Sequence, residues 1–255
     1  MVAALFLDLS GVLYDGASLI PGALEAVERA QRSPLEVRFI TNTSQKTRVS
    51  LLNHLRDLGF KVEESQLFTA VDGARQWLRQ RQLRPLCLVH QDILGEFADF
   101  DQSDPNAVFI ADAADGFNYR SLNQAFQLCM AGAPLLGVGY NRYYKSGDQL
   151  LMDAGGFIRA VEFAAGVEAT IVGKPDREFF RQVLASTTAT PEQTLMVGDD
   201  VFGDIEGALH AGINACLVRT GKYRAGDEEH ISGHFHLVAS IDEAVELALN
   251  GTEGL

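Results

Sequence analysis

Strand-length apolar runs alternate with amphipathic helical patterns at both ends of this chain, and that alternation leaves few architectures open. "ALFLDLS" (4–10) reads as a buried strand and "PGALEAVERAQR" (21–32) as a helix with Pro21 in its first turn. "LEVRFITNTS" (35–44) reads as a second strand, and Ser44 caps a helix over "QKTRVSLLNHLRDLG" (45–59). The rhythm returns late: "EATIVGKP" (168–175), "QTLMVGDD" (193–200) and "NACLVRTG" (214–221) as strands, with "DREFFRQVLASTT" (176–188), "DIEGALHAG" (204–212) and "SIDEAVELAL" (240–249) as helices. Continuous apolar strands separated by amphipathic helices imply a parallel sheet covered on both faces, an α/β fold.

An open α/β sheet binds ligands outside the carboxyl ends of its strands. Four polar clusters occupy such ends: Asp8 to Ser10, Thr41 with Asn42, Lys174, and Asp199 with Asp200. Singly each is weak, since an Asp after a strand is most often a helix cap or turn former. Together their chemistry converges. Asp8 and Asp199 can hold a hard divalent cation such as Mg²⁺, which takes few carboxylates plus waters and a phosphate oxygen. Lys174 opposes phosphoryl charge, and the Thr41 hydroxyl with nearby backbone N–H groups can take the remaining phosphate oxygens. An Asp beside the metal can attack phosphorus itself, giving an aspartyl-phosphate that water hydrolyses.

"DLSGVLYDG", "FITNTSQ", "GKP" and "MVGDDVFGD", in this order, resemble the four motifs of the haloacid dehalogenase superfamily of phosphatases. The resemblance spans essentially the whole chain and implies a Rossmann-like core. By it, Asp8 is the nucleophile, and Asp8, the Ser10 carbonyl and Asp199 are metal ligands. Thr41 and Asn42 bind phosphate alongside the Asp8, Leu9 and Ser10 loop, and Lys174 steadies the nucleophile and phosphoryl charge. Asp204, with Asp200, supports the metal waters or the lysine. Between Asn42 and Lys174 the chain alternates again ("DGARQWLRQRQ", "PLCLVH", "NAVFIAD", "YRSLNQAFQLCMAG", "APLLGVGY"), and an insert of about a hundred residues can carry its own core. The expected division is 1–68 and 168–255 as catalytic core and 69–167 as an inserted α/β cap domain. A cap there marks subclass IIA. "TNTSQKTR", "NRYYKSGDQLLMDAGGFIRAVEFAAG" and "RTGKYR" further resemble the phospholysine phosphohistidine inorganic pyrophosphate phosphatase group, which shares a serine at the position of Ser10.

Ser10 is the departure from the usual pattern, where a second acid would act as proton donor. The expected function is therefore a Mg²⁺-dependent phosphohydrolase of small phosphorylated compounds that favours good leaving groups: pyrophosphate, aryl phosphates and P–N compounds. A catalytically weak phospho-ligand sensor is the alternative, and Ser10 is its one argument. The intact set of Asp8, Thr41, Lys174 and Asp199 favours the enzyme.

Composition removes other classes. A net charge of −13 offers no basic stripe for a nucleic-acid backbone. No apolar run reaches membrane-span length and no positive residue precedes the first strand, so neither a signal peptide nor a membrane span is expected and the chain reads as cytoplasmic. Capped relatives often dimerise, which leaves a homodimer open. Cys87, Cys129 and Cys216 sit in apolar contexts without CxxC spacing and read as reduced core thiols. His230, His234 and His236 ("HISGHFH") read as a solvated segment rather than a metal site, and "GVGYN" lacks a dinucleotide fingerprint. Trp77 and Phe126 fall at core-facing helical positions. "GYNRYYKSGDQLLMDAGG" (139–156) suits either a surface turn or a hairpin over the pocket, with aromatics, Arg142 and Lys145 within it and Asp153 and Gly155 near its end.

Overall fold

The structure, a computed structural model, describes residues 1–146 and 149–250. In chain order the strands are β1 (Ala4–Asp8), β2 (Tyr14–Asp15), β3 (Ser18–Leu19), β4 (Glu36–Thr41), β5 (Leu67–Thr69), β6 (Pro85–Leu88), β7 (Ala107–Ile110), β8 (Leu135–Gly137), β9 (Tyr143–Ser146), β10 (Gln149–Met152), β11 (Thr170–Ile171), β12 (Thr194–Gly198), β13 (Asn214–Val218) and β14 (His236–Val238). The helices are α1 (Ala23–Arg32), α2 (Arg48–Asp57), α3 (Ala70–Gln80), α4 (Tyr119–Met130), α5 (Ala154–Ala165), α6 (Arg177–Leu184), α7 (Gly207–His210) and α8 (Ile241–Asn250).

Six strands form one parallel sheet in the order β14-β13-β12-β1-β4-β5. Side chains alternate across each strand, so β1 serves two cores at once. Leu5 and Leu7 pack with α1, α2 and α8, whereas Ala4 and Phe6 pack with α6 and α7. Burial on both faces is why these strands read as unbroken apolar runs. From β1 the chain first builds outward through β4 and β5 and later returns through β12 to the other side of β1. That reversal opens the crevice outside the carboxyl ends of β1, β4 and β12.

A second parallel sheet, β11-β8-β7-β6, has its own apolar cluster with α3, α4 and α5. Trp77 packs against that cluster, Phe126 is half-buried, and Cys129 lies inside. One strand differs from expectation. "EATIVGKP" was read with the late core strands, yet β11 pairs with β8 at Thr170↔Leu136 and Ile171↔Gly137. Ala169, Ile171 and Val172 insert into the second cluster, so the apolar residues of this run decide its sheet. Lys174 then follows three residues past β11.

The second cluster centres on Phe109, fully buried and 5.3 Å from the Phe97 ring centroid. Phe109→Ala is expected to cost about 3–5 kcal/mol, read as a lowered urea midpoint. An unchanged midpoint would show that this cluster does not limit stability.

Candidate active site

Seven strand ends, four from the first sheet and three from the second, converge on one cavity of about 510 Å³, the end of β11 bringing Lys174. β1 delivers Asp8 and Ser10, β4 delivers Thr41 and Asn42, and β12 delivers Asp199 and Asp200. Lys222 follows β13, while Asp112 and Asn141 follow β7 and β8. The β2–β3 hairpin adds Tyr14 and Asp15 to the wall.

At the centre, the buried Lys174 ammonium donates to Asp8 Oδ1 at 2.5 Å and to Asp204 Oδ1 at 2.6 Å. Burial alone would push that ammonium toward neutrality, but Asp204 and Asp8 outweigh it and hold Lys174 charged. One cation cannot balance the carboxylates around it. Burial pushes Asp204 up to about 6, with Asp8 and Asp200 adding to the rise and Lys174 opposing it. Asp199 is raised further by burial, with Lys222 opposing and Asp8 and Asp204 adding.

Asp199 is packed with little tolerance. A Cβ on Gly11 or on Gly221 would lie 2.0 Å from its Oδ2, and both glycines have positive φ, 88° and 65°. Its Oδ2 accepts the Lys222 backbone N–H at 2.8 Å. Its Oδ1 is buried without a hydrogen-bond partner among the described residues. Asp8, Asp199 and Asp204 bring one carboxylate oxygen each within 4.8 Å of one another, the grouping among the described residues able to hold a metal ion, and it includes none of His230, His234 and His236. An orphaned buried carboxylate oxygen beside two further carboxylates fits a hard divalent cation.

The remaining residues divide by task. Thr41 is buried at the end of β4, its Oγ1 accepting the Thr43 N–H at 3.0 Å and donating to Thr43 Oγ1 at 2.9 Å. Asn42 spends its amide on the backbone of Lys174: Oδ1 accepts the Lys174 N–H at 2.9 Å and Nδ2 donates to the Lys174 carbonyl at 2.7 Å. The same Nδ2 reaches Asn141 Oδ1 at 3.3 Å. Leu9 is buried under the loop and Ser10 is exposed to the cavity. Asp200 caps the helical turn Val201–Glu206 through the Phe202 and Gly203 N–H groups, and its Oδ2 accepts from Lys222 Nζ at 2.5 Å and from Asn141 Nδ2 at 3.2 Å. Burial pushes Asp200 up, but Lys222 more than reverses this and holds its carboxyl below the ordinary range.

Within the segment 140–156, β9 pairs antiparallel with β10, and residues 147 and 148 lie outside the described ones. Tyr144 and Lys145 line the cavity, and Lys145 Nζ pairs with Asp15 Oδ2 at 2.6 Å. Arg142 instead lies over the Phe202 ring at 5.0 Å. Gln45 Nε2 donates to Asp112 Oδ2 at 2.6 Å, another link between the two sheets.

Models of two haloacid dehalogenase-like hydrolase families match the chain, at residues 5–102 and 171–244. The phospholysine phosphohistidine inorganic pyrophosphate phosphatase of Rattus norvegicus is 45% identical, over 97% of this chain and 94% of that protein. The chain belongs to the haloacid dehalogenase-like hydrolases. It is a phosphatase of subclass IIA. Haloacid dehalogenase-like hydrolase domain-containing protein 2 of Bos taurus is 44% identical over 90% of this chain and 88% of its own length. In fold, the chain is similar to a 4-nitrophenylphosphatase from Thermotoga maritima (TM-score 0.86, 24% identity, 96% of this chain and 97% of that one). It is also similar to a glycerol phosphate phosphatase from Mycobacterium tuberculosis solved in complex with magnesium (TM-score 0.80, 22% identity, 94% and 76%).

Lys222, Asn141, Asp112 and His54 were not singled out from the sequence as cavity residues. The signal was present for three of them. Each of Lys222, Asn141 and Asp112 follows an apolar strand within a few residues, the same rule that selected Asp8 and Asp199.

The Lys222–Asp200 pair yields a test. Lys222→Met strands a buried carboxylate and is expected to cost about 3–5 kcal/mol in urea denaturation, most of it recovered in Lys222→Met/Asp200→Asn. If the double variant is no more stable than the single, the pair is not what Lys222 supports.

Proposed function

We propose that this phosphatase is a Mg²⁺-dependent phosphohydrolase that works through an aspartyl-phosphate on Asp8 and acts on small phosphorylated compounds with good leaving groups. The observation that carries this reading is the buried Lys174 bridge between Asp8 and Asp204, beside the orphaned oxygen of Asp199. Asp8, Asp199 and the Ser10 carbonyl would hold the ion, with residues 69–167 as the cap over it. When bound, Mg²⁺ would supply positive charge against the phosphate oxygens.

The chain's own residues carry the chemistry as follows. Lys174 fixes the Asp8 carboxylate by a hydrogen-bonded ion pair, so an oxygen of Asp8 can attack phosphorus in line with the leaving group. The Thr41 hydroxyl and neighbouring N–H groups bind the transferred phosphoryl oxygens. Asn42, through its hold on the Lys174 backbone, keeps the ammonium in register with Asp8. Water then opens the aspartyl-phosphate and frees Asp8.

Ser10 sets the substrate range. A carboxyl group there would protonate the departing group and later deprotonate water, a contribution of about 10²- to 10⁴-fold. A serine hydroxyl is too weak an acid for either. Leaving groups that depart without a proton from the enzyme are therefore favoured, which accords with relatives named for phospholysine, phosphohistidine and pyrophosphate. Ser10 also favours the second reading, a phospho-ligand sensor of low turnover.

Asp8→Asn, or chelation of divalent cations, is expected to lower p-nitrophenyl phosphate turnover by about 10³-fold or more, because nucleophile and charge clamp act as a unit. Activity retained in Asp8→Asn would remove the covalent mechanism. Wild-type kcat/KM should fall steeply as leaving-group pKa rises across aryl and alkyl phosphates, and Ser10→Asp should flatten that slope. A wild-type enzyme equally fast on alkyl and aryl phosphates would refute the role given to Ser10.

A further inference from the structure

Part of the cavity wall comes from residues that follow the strands of the second sheet and from the β9–β10 segment, and it carries two carboxylates. Asp112 and Asp153 both line it. Neither carboxylate forms an ion pair with a cation among the described residues: Lys174 is held by Asp8 and Asp204, Lys222 by Asp200, and Lys145 meets Asp15. Asp112 is nonetheless satisfied, taking the Gln45 amide on Oδ2 and the Ala114 N–H on Oδ1.

Asp153 is different. It caps α5 through one oxygen, Oδ1 to the Ala154 N–H at 2.6 Å, and no donor among the described residues meets the other. Its backbone is pinned as well, its N–H donating to the Arg142 carbonyl at 3.1 Å at the base of the β9–β10 segment. Gly155, two residues on, packs so closely on Tyr140 and Asn141 that a Cβ there would lie 2.5 Å from the Asn141 carbonyl oxygen. A half-buried carboxylate is thus held rigidly at the wall of the catalytic cavity with one face unused.

We propose that Asp153 is the specificity residue for the leaving group, accepting a hydrogen bond from its N–H, which sits on the phosphorus-bearing nitrogen of an amine or on the distal ring nitrogen of an imidazole. This rests on the phosphohydrolase reading above; N-phosphorylated amines and imidazoles are the class for which the relatives are named, and the inference is the residue that selects them. Burial pushes the Asp153 carboxyl up to about 6, Asp112 and Asp200 adding to the rise while the Ala154 N–H and Lys222 oppose it. At neutral pH the group is still mainly ionised, so it accepts a hydrogen bond and has no proton to give an alkoxide. A leaving group that brings its own N–H relieves the repulsion among these carboxylates, and the Asp153 charge raises the fraction of that nitrogen which is protonated.

The step balances without a proton from residue 10. A P–O bond forms to Asp8 as the P–N bond breaks, and the electron pair goes to nitrogen. The leaving group keeps its proton, on the departing nitrogen of an amine or on the distal ring nitrogen of an imidazole, and departs neutral, while Asp153 remains a carboxylate. Water then attacks phosphorus and releases phosphate.

The test compares kcat/KM for a phosphoimidazole or N-phospholysine with kcat/KM for p-nitrophenyl phosphate, in wild type and in Asp153→Asn. Asparagine also caps helices well, so α5 keeps its start. Asp153→Asn is expected to lower the N-phosphoryl rate about 10- to 100-fold, the worth of a hydrogen bond to a charged group, and to leave p-nitrophenyl phosphate within about twofold. Asp153→Glu should restore part of the preference. Equal losses on both substrates, or no loss on either, would overturn the assignment. Wild-type protein that cleaves p-nitrophenyl phosphate but no P–N compound would also overturn it while the phosphohydrolase reading stood. Protein inactive on both would remove that reading and this one with it.

Discussion

One ammonium placed among too many carboxylates organises this molecule. Lys174 has almost no contact with solvent, and its partners Asp8 and Asp204 are as deeply buried. Such a cluster is stable only if every member is tightly held and further positive charge is near, because each ion has given up its water. The surrounding structure supplies the holding. Asn42 grips the backbone of Lys174 from both sides, Asp204 also accepts the Asp200 N–H at 3.1 Å, and Lys222 neutralises Asp200 at the edge of the cluster. Asp199 forms no ion pair with a cation among the described residues and its Oδ1 has no hydrogen-bond partner there, and that deficit marks a place where a cation fits.

The two sheets meet this requirement from opposite directions. Each is parallel, so each presents all its strand ends on one side. Both sides face the same cavity, the first sheet giving Asp8, Thr41 and Asp199 and the second giving Lys174, Asp112 and Asn141. Contacts between them are polar and individually modest: Gln45 to Asp112, Asn42 and Asp200 to Asn141, and Lys145 to Asp15. The charged centre is therefore built across the two sheets, with Lys174 carried in behind β11 to meet Asp8 and Asp204.

Much of this was legible in the sequence because two simple periodicities carry it. Unbroken apolar runs marked β1, β4, β12 and β13, and the polar residues just past them marked Asp8, Thr41, Lys174 and Asp199. The run that was misplaced, "EATIVGKP", failed for a physical reason: a strand of two residues has no periodicity to read, and its sheet was decided by where Ile171 and Val172 could be buried. Asn42 shows a second limit. Its residue type fits phosphate, but only coordinates reveal that both ends of its amide are engaged by the Lys174 backbone. Asp153 shows a third, since nothing in "LLMDAGG" distinguishes a helix cap from a helix cap whose spare oxygen lines a cavity.

The Asn42 grip has a consequence for the order in which the chain gains activity. It joins residues 132 positions apart, and the Lys174 bridge to Asp8 spans 166. Contacts of such range form late, after the loops between them have closed. During synthesis the first strand and Asp8 emerge well before Lys174 and Asp199, which complete the cluster around it. A nascent or partly folded chain thus carries an Asp8 with no partner to orient it, and hydrolysis begins only when the whole chain is in place.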